Sequence, residues 1–165
     1  SSSFSSRARE KLSNLEAEYW GQASEQRTIS QYQKYIDSFP NGNHVAQAEK
    51  AIIDKEVDDI LKGDHGLLPP MSKTMAGYTQ ATTNDIEIYN NTSYTLTVRY
   101  SGSIASKKIV LKPQQKQAFT LQNGSYRVAA SVKAVNVNNY AGEEKLEGGS
   151  YTSEFYIKTE TYWER

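Results

Sequence analysis

Gly63-Asp64-His65-Gly66-Leu67-Leu68-Pro69-Pro70 divides the chain. Two glycines and a Pro-Pro pair interrupt any regular element, and the rhythm of apolar residues changes across them. On the N-terminal side, Ala8, Leu12, Leu15, Tyr19 and Ala23 recur at three- and four-residue spacing, one face of a helix. Thr28 with Gln31 is a capping-box signal for a second helix, whose stripe is Ile29, Tyr32, Ile36 and Phe39. Pro40-Asn41-Gly42 ends it, because proline cannot continue the helix and glycine accepts the left-handed turn. Asn43 is placed to cap a third helix with Val45, Ala48, Ile52, Ile53, Val57 and Ile60 on its apolar side, closed by Gly63.

On the C-terminal side the period is two. Ile86 and Ile88 alternate with Asp85 and Glu87, and Tyr94, Leu96, Val98 and Tyr100 alternate with Thr95, Thr97 and Arg99. Asn90-Asn91-Thr92-Ser93 and Ser101-Gly102-Ser103 read as turns, and Ile109 and Leu111 run to Pro113. Phe119 and Leu121 precede Asn123-Gly124, a two-residue hairpin signal, with Tyr126, Val128, Ala130 and Val132 beyond it. Residues 140 to 149 look looser, with three glycines. Tyr151, Ser153, Phe155 and Ile157 form a last strand that can be extended to Trp163. Nine of the 12 tyrosines lie after residue 70, among Thr, Ser, Val and Asn. Six or seven short strands predict an antiparallel sandwich.

Composition removes whole classes of function. Nineteen basic and nineteen acidic residues cancel, which withholds the basic footprint of a nucleic-acid binder. With no cysteine, disulfides, thiolate metal sites and cysteine nucleophiles are excluded. The mean hydropathy of -0.72 calls for a compact core, and no run of apolar residues in the sequence approaches bilayer length. Ser1-Ser2-Ser3-Phe4-Ser5-Ser6 is low in complexity and reads as a flexible tether over residues 1–6.

Tyr32, Tyr35, Phe39-Pro40, Gly42, His44 and Ala48, with Trp20 and Ala23 upstream, resemble a tetratricopeptide-like helical hairpin of bacterial envelope proteins. The resemblance covers roughly residues 16–60, one unit and a half, fewer than the three or so repeats that build a peptide-binding superhelix. Leu121-Gln122-Asn123-Gly124-Ser125-Tyr126-Arg127-Val128 resembles a hairpin of immunoglobulin-like and carboxypeptidase-regulatory-like modules of secreted bacterial proteins. The serine run resembles the tether behind the lipidated cysteine of bacterial lipoproteins. Together these resemblances imply an exported protein of the periplasm or outer cell surface, with a lipid anchor upstream as a route of attachment, and a structural or binding role for the β module.

Candidate sites are few. His65 with Asp64, Asp58 and Asp59 offers oxygen and nitrogen donors, but Asp-His-Gly in a linker is an ordinary solvated turn, and no metal or cofactor is expected. No histidine falls in the β half to serve as base for a serine nucleophile. A glycosidase pair could be assembled from Glu143, Glu144, Glu147 and Glu154, but carboxylates in a Gly-rich loop and strand are more ordinarily a solvated charge run. Tyr156 and Tyr162 have the opposite parity to Phe155 and Ile157. With Lys158, Trp163 and Tyr140 they are the candidate ligand-binding residues, an outward aromatic row able to stack a sugar or grip a peptide. Cross-strand aromatic pairing on a solvated sheet, or cover by the helical unit, is the more ordinary reading of the same row.

The expected molecule is therefore α+β: a tether (1–6), a helical unit (7–62), a linker (63–77) and an all-β antiparallel sandwich (78–163). Its expected function is that of a non-catalytic envelope protein whose partner is a protein or surface glycan, with no nucleic acid and with membrane contact only through an anchor. A purely structural accessory role and a carbohydrate-active or peptidase enzyme are the alternatives.

Overall fold

A computed structural model describes residues 2–77 and 80–159. Among these described residues three helices come first: α1 (Ser2–Gln26), α2 (Ile29–Ser38) and α3 (Val45–Lys62). Nine strands follow: β1 (His65–Leu67), β2 (Ser72–Ala76), β3 (Thr83–Asn91), β4 (Leu96–Gly102), β5 (Ser106–Leu111), β6 (Lys116–Gln122), β7 (Gly124–Val132), β8 (Asn139–Leu146) and β9 (Gly149–Tyr156). The chain divides into two compact units, 1–56 and 57–165, so the last turns of α3 belong with the strands.

In the helical unit the expected capping holds: Thr28 Oγ1 accepts from the Gln31 amide at 3.3 Å. Ala23, Tyr32, Tyr35, Phe39, Ala48 and Ile52 form the core, with Trp20 and Tyr19 packed against it. Asn43 is not the cap of α3. The His44 carbonyl takes the first helical bond, from Ala48, while the Asn43 amide is held by Glu16 Oε1 at 2.7 Å. The expected tether over residues 1–6 is also corrected, because α1 is helical from Ser2. Serine is only mildly unfavourable in a helix, and a long helix already nucleated downstream carries it.

The strands form two sheets around one apolar cluster that includes Ile86, Ile88, Val98, Tyr100, Leu111, Val128 and Tyr151. Strand order is β1-β8-β7-β4-β5 in one sheet and β2-β9-β3-β6 in the other. Two pairs are parallel, β1 with β8 and β3 with β9, so the all-antiparallel expectation gives way to mixed sheets. Only β4–β5 and β7–β8 are hairpins between consecutive antiparallel strands within the five-stranded sheet. The edge strands β1 and β2 are consecutive in the chain, as are β5 and β6, so a short link joins the sheets along each side.

Five expectations change here. Asn123-Gly124 is not a hairpin turn. β6 pairs with β3 and β7 with β4 and β8, so the chain crosses between sheets at this point. Asn123 is held at the crossing by its side-chain donation to the Ala81 carbonyl at 2.7 Å and its amide bond to Thr82. The Tyr126 hydroxyl then ties back to the Gln122 carbonyl at 2.9 Å. The expected linker contains β1 and β2, whose pairing partners lie 70 or more residues away and leave no local alternation. The stretch that looked loose is β8, and Gly142 sits in it because a Cβ there would collide with the Leu68 carbonyl oxygen. Tyr94 is half exposed outside β4, and the described final strand stops at Tyr156, short of Trp163.

Two buried asparagines secure the ends of β3. Asn84 Nδ2 donates to the Leu121 carbonyl and to Asn123 Oδ1, and its Oδ1 accepts from the Gly148 amide at 2.7 Å. Asn90 Nδ2 reaches the Tyr94, Leu111 and Lys112 carbonyls at 2.8, 3.2 and 2.9 Å, and its Oδ1 accepts from the Thr92 amide and hydroxyl. Each side chain substitutes for backbone partners that the turning chain has lost.

Candidate functional site

The two sheets present different outer faces. Beyond the core of the five-stranded sheet, Ala129 of β7 and Ala141 of β8 are buried under Val57, Ile60 and Leu61 of α3. Arg127 extends the same contact by pairing with Asp58, and its second nitrogen donates to Ser101 Oγ at 3.0 Å. Small residues on the strands let the helix approach, and the ion pair lies at its margin.

The four-stranded sheet turns its polar positions outward. Because Ile86 and Ile88 face the core, Asp85, Glu87 and Tyr89 face away. Register then places Thr120, Asp85 and Ser150 in one cross-strand row, Ala118, Glu87 and Thr152 in the next, and Lys116, Tyr89 and Glu154 in a third. Asn91 and Tyr156 stand beyond them. Asn91 Nδ2 donates to Glu154 Oε1 at 2.7 Å, the Tyr89 hydroxyl donates to Gln114 Oε1 at 2.6 Å, and Lys116 Nζ lies 5.3 Å from the Tyr89 ring centroid. The tyrosine end is thus ordered by its neighbours, and Tyr156 is 68% exposed.

Of the candidate residues, Tyr156 is where its parity places it. Lys158 follows β9 and is exposed. Tyr140 is not on this face. It shares parity with the inward-facing Glu144 and Leu146 of the other sheet, is 44% exposed, and lies over Gly66 of β1. Tyr162 and Trp163 lie outside the described residues. Tyr89 and Lys116 complete the outer face and were not singled out by sequence, and Glu154, considered there only for a carboxylate pair, stands with them. The signal for Tyr89 was available, since it continues the outward parity of Asp85 and Glu87 by two residues.

The four carboxylates from which a glycosidase pair could be drawn fall in separate places. Glu154 is on the outer face just described, Glu143 is opposite Arg127, Glu147 pairs with Lys145 at 2.7 Å, and Glu144 points between the sheets. Glu144, 8% exposed, accepts from the Met71 amide at 2.7 Å, and the Tyr100 hydroxyl donates to Met71 Sδ at 3.6 Å. Burial raises the Glu144 carboxyl above the ordinary glutamate range, against the opposing pull of the Met71 amide. Burial also raises the Tyr100 phenol, with Glu144 adding to it. Glu144 fastens the strand link over residues 68–71.

Its linkage sign follows from the raised value. The folded chain holds this proton more tightly than the unfolded one, so stability falls as pH rises from the ordinary glutamate range through the folded value. Glu144→Gln keeps an oxygen for the Met71 amide and removes the buried charge. It is expected to be more stable than the parent at neutral pH and equal to it in acid, measured as urea midpoints across pH. A parent that loses stability on acidification through this window while the variant does not would refute it.

Both histidines have structural surroundings. His44 stacks on Trp20 at 4.4 Å with a 4° interplanar angle, and His65 Nδ1 lies 3.0 Å from the Gly66 carbonyl. Among the described residues no three His, Cys, Asp or Glu side chains are grouped to hold a metal ion. No protein-family model and no curated protein matches the chain.

Proposed function

We propose that this chain is a non-catalytic interaction module of the bacterial cell envelope, exported to the periplasm or outer surface, which docks a protein or surface polymer on the outer face of its four-stranded sheet. The observation that carries the reading is the contrast between the two sheets. One outer face is occupied by α3, whereas the other presents a flat lattice of small polar residues and carboxylates with Tyr89 and Tyr156 at one end. Flat rows with ordered aromatics suit recognition, and the four carboxylates lie in different surroundings rather than facing one another as a pair. The β unit is best described as a sandwich, and Tyr126 with its bond back to Gln122 acts as the tyrosine corner that such modules use to fix a crossing. The tetratricopeptide-like reading is supported by the corner before α3, where the hydroxyl of motif residue Tyr35 donates to Glu16 and accepts from the amide of motif residue His44.

Photo-crosslinking in native cells tests this. A crosslinking residue at Thr120 or Glu87 of the full-length protein is expected to capture one recurrent partner that the same residue at Val135 does not, with capture weakened by Tyr156→Ala. Equal capture at all three positions would remove the docking face. Fractionation of the same cells checks the envelope placement separately.

A further inference from the structure

α1 is longer than the hairpin it belongs to. α2 returns along it only as far as Glu16, whose Oε1 accepts from the Tyr35 hydroxyl and the Asn43 amide, both at 2.7 Å. Tyr19 still meets Phe39, with ring centroids 5.3 Å apart. Residues 3 to 15 are exposed throughout, an overhang of roughly 20 Å at 1.5 Å per residue.

The overhang is patterned. At about 100° per residue, Phe4, Ala8, Leu12 and Leu15 lie within about 80° of one another. Phe4 is 81% exposed, Leu12 59% and Leu15 45%. Arg7 and Lys11 flank this stripe on one side and Arg9 on the other, while Glu10, the only acid before Glu16, lies on the opposite side of the helix. Three cations against one acid make the segment basic in a chain of zero net charge.

Cations along both margins of an apolar stripe, with the acid turned away, suit a planar anionic surface: aliphatic stems follow the stripe inward and the charged ends meet phosphate. A second copy of the same overhang fits poorly. Laid antiparallel with Leu12 against Ala8 of the second copy, the helices would set Arg9 opposite Arg9 and Lys11 opposite Lys11. Among the described residues no helix is long and apolar enough to cross a membrane, so the segment would lie on the bilayer. It is already helical and tied down at Glu16, so binding need not order it.

We infer that the exposed N-terminal half of α1 docks on the surface of an anionic phospholipid bilayer, through Phe4, Leu12 and Leu15 and the flanking Arg7, Arg9 and Lys11. This contact is separate from any anchor upstream, and it stands on α1 alone whatever the sheet face binds.

The test is co-sedimentation of the whole chain with vesicles of equal parts phosphatidylglycerol and phosphatidylcholine, against vesicles of phosphatidylcholine alone. Binding to the anionic vesicles is expected to weaken with salt. The substitutions Arg7→Gln, Arg9→Gln and Lys11→Gln are expected to weaken it about fivefold each. Leu12→Ser and Leu15→Ser are expected to weaken it about tenfold each. All five positions are exposed, and far-UV circular dichroism verifies that each variant stays folded. Equal binding to both vesicle types, no binding to either, or binding untouched by the five substitutions would each overturn the proposal. Self-association that Leu12→Ser abolishes, without vesicle binding, would assign the stripe to a second copy instead.

Discussion

Asn90→Leu is expected to cost the β unit about 3–5 kcal/mol, a large part of what such a domain possesses. Leucine keeps the branching of asparagine but is bulkier, so some overpacking of this buried site adds to the loss of partners. The Leu111 carbonyl loses the side-chain amide that reaches it and the Thr92 amide loses its acceptor, while the Tyr94 and Lys112 carbonyls are left with one donor each, the Thr92 hydroxyl and the Gln115 amide. Asn90 is fully buried, so water cannot replace it without opening the turn after β3. Unsatisfied buried groups cost about 1–3 kcal/mol each, and partial relaxation keeps the total below the simple sum. Asn90→Asp separates donor from acceptor. It preserves the oxygen that serves Thr92 but turns a carboxylate toward three carbonyls, which raises its folded pKa. The Asp variant is therefore expected to be poor at neutral pH and to recover as pH falls through that value. Urea unfolding at two pH values measures both. A loss under about 1 kcal/mol for the leucine variant would mean that solvent already reaches the turn.

Tyr35→Ala is expected to unfold the helical unit and spare the strands. Tyr35 is fully buried where α1, α2 and the corner before α3 converge, beside Trp20 at 5.3 Å and Phe39 at 5.9 Å. Its hydroxyl donates to Glu16 and accepts from the His44 amide at 3.0 Å. Truncating a core aromatic costs about 3–5 kcal/mol, and a unit of about 60 residues has little more than that to lose. The units have separate cores, so amide exchange should lose protection in α1 and α2 while β4 and β7 keep theirs. Parallel loss in both units would show that they fold as one. Tyr35→Phe is the milder control. The hydrogen bond from Tyr35, then that from Asn43, holds the Glu16 carboxyl below the ordinary glutamate range. That contribution is present above the ordinary range and is lost as pH falls through the depressed value, so the Phe variant should show a weaker acid dependence than the parent.

Much of this molecule can be read locally. Helical spacing, the Thr28 cap and the Pro40-Asn41-Gly42 corner specify the hairpin, because each signal acts within a turn or two of chain. The alternation of Ile86 and Ile88 with Asp85 and Glu87 specifies an inner and an outer face, and so puts Tyr156 outside. Where reading failed, the cause lies far along the chain. β1 has three residues and β2 five, all exposed in β2, and both are strands because β8 and β9 lie beside them. Gly142 looked like loop because its reason, the passing Leu68 carbonyl, comes from more than 70 residues upstream. Asn123-Gly124 carries the signal of a tight hairpin, yet Asn84 and Thr82 hold it as a crossing between sheets.

By itself the sequence determined that helices precede strands and, for segments with clean alternation such as β3 and β4, which side chains face inward, since these depend on spacing along a few residues. Only the tertiary structure decided which strands are neighbours, that two of those pairs run parallel, that Tyr140 and Tyr156 stand on different surfaces, and that the apolar stripe of α1 continues beyond its partner helix. Those outcomes depend on where distant segments meet, and side-chain periodicity is identical whichever neighbour a strand or helix finds.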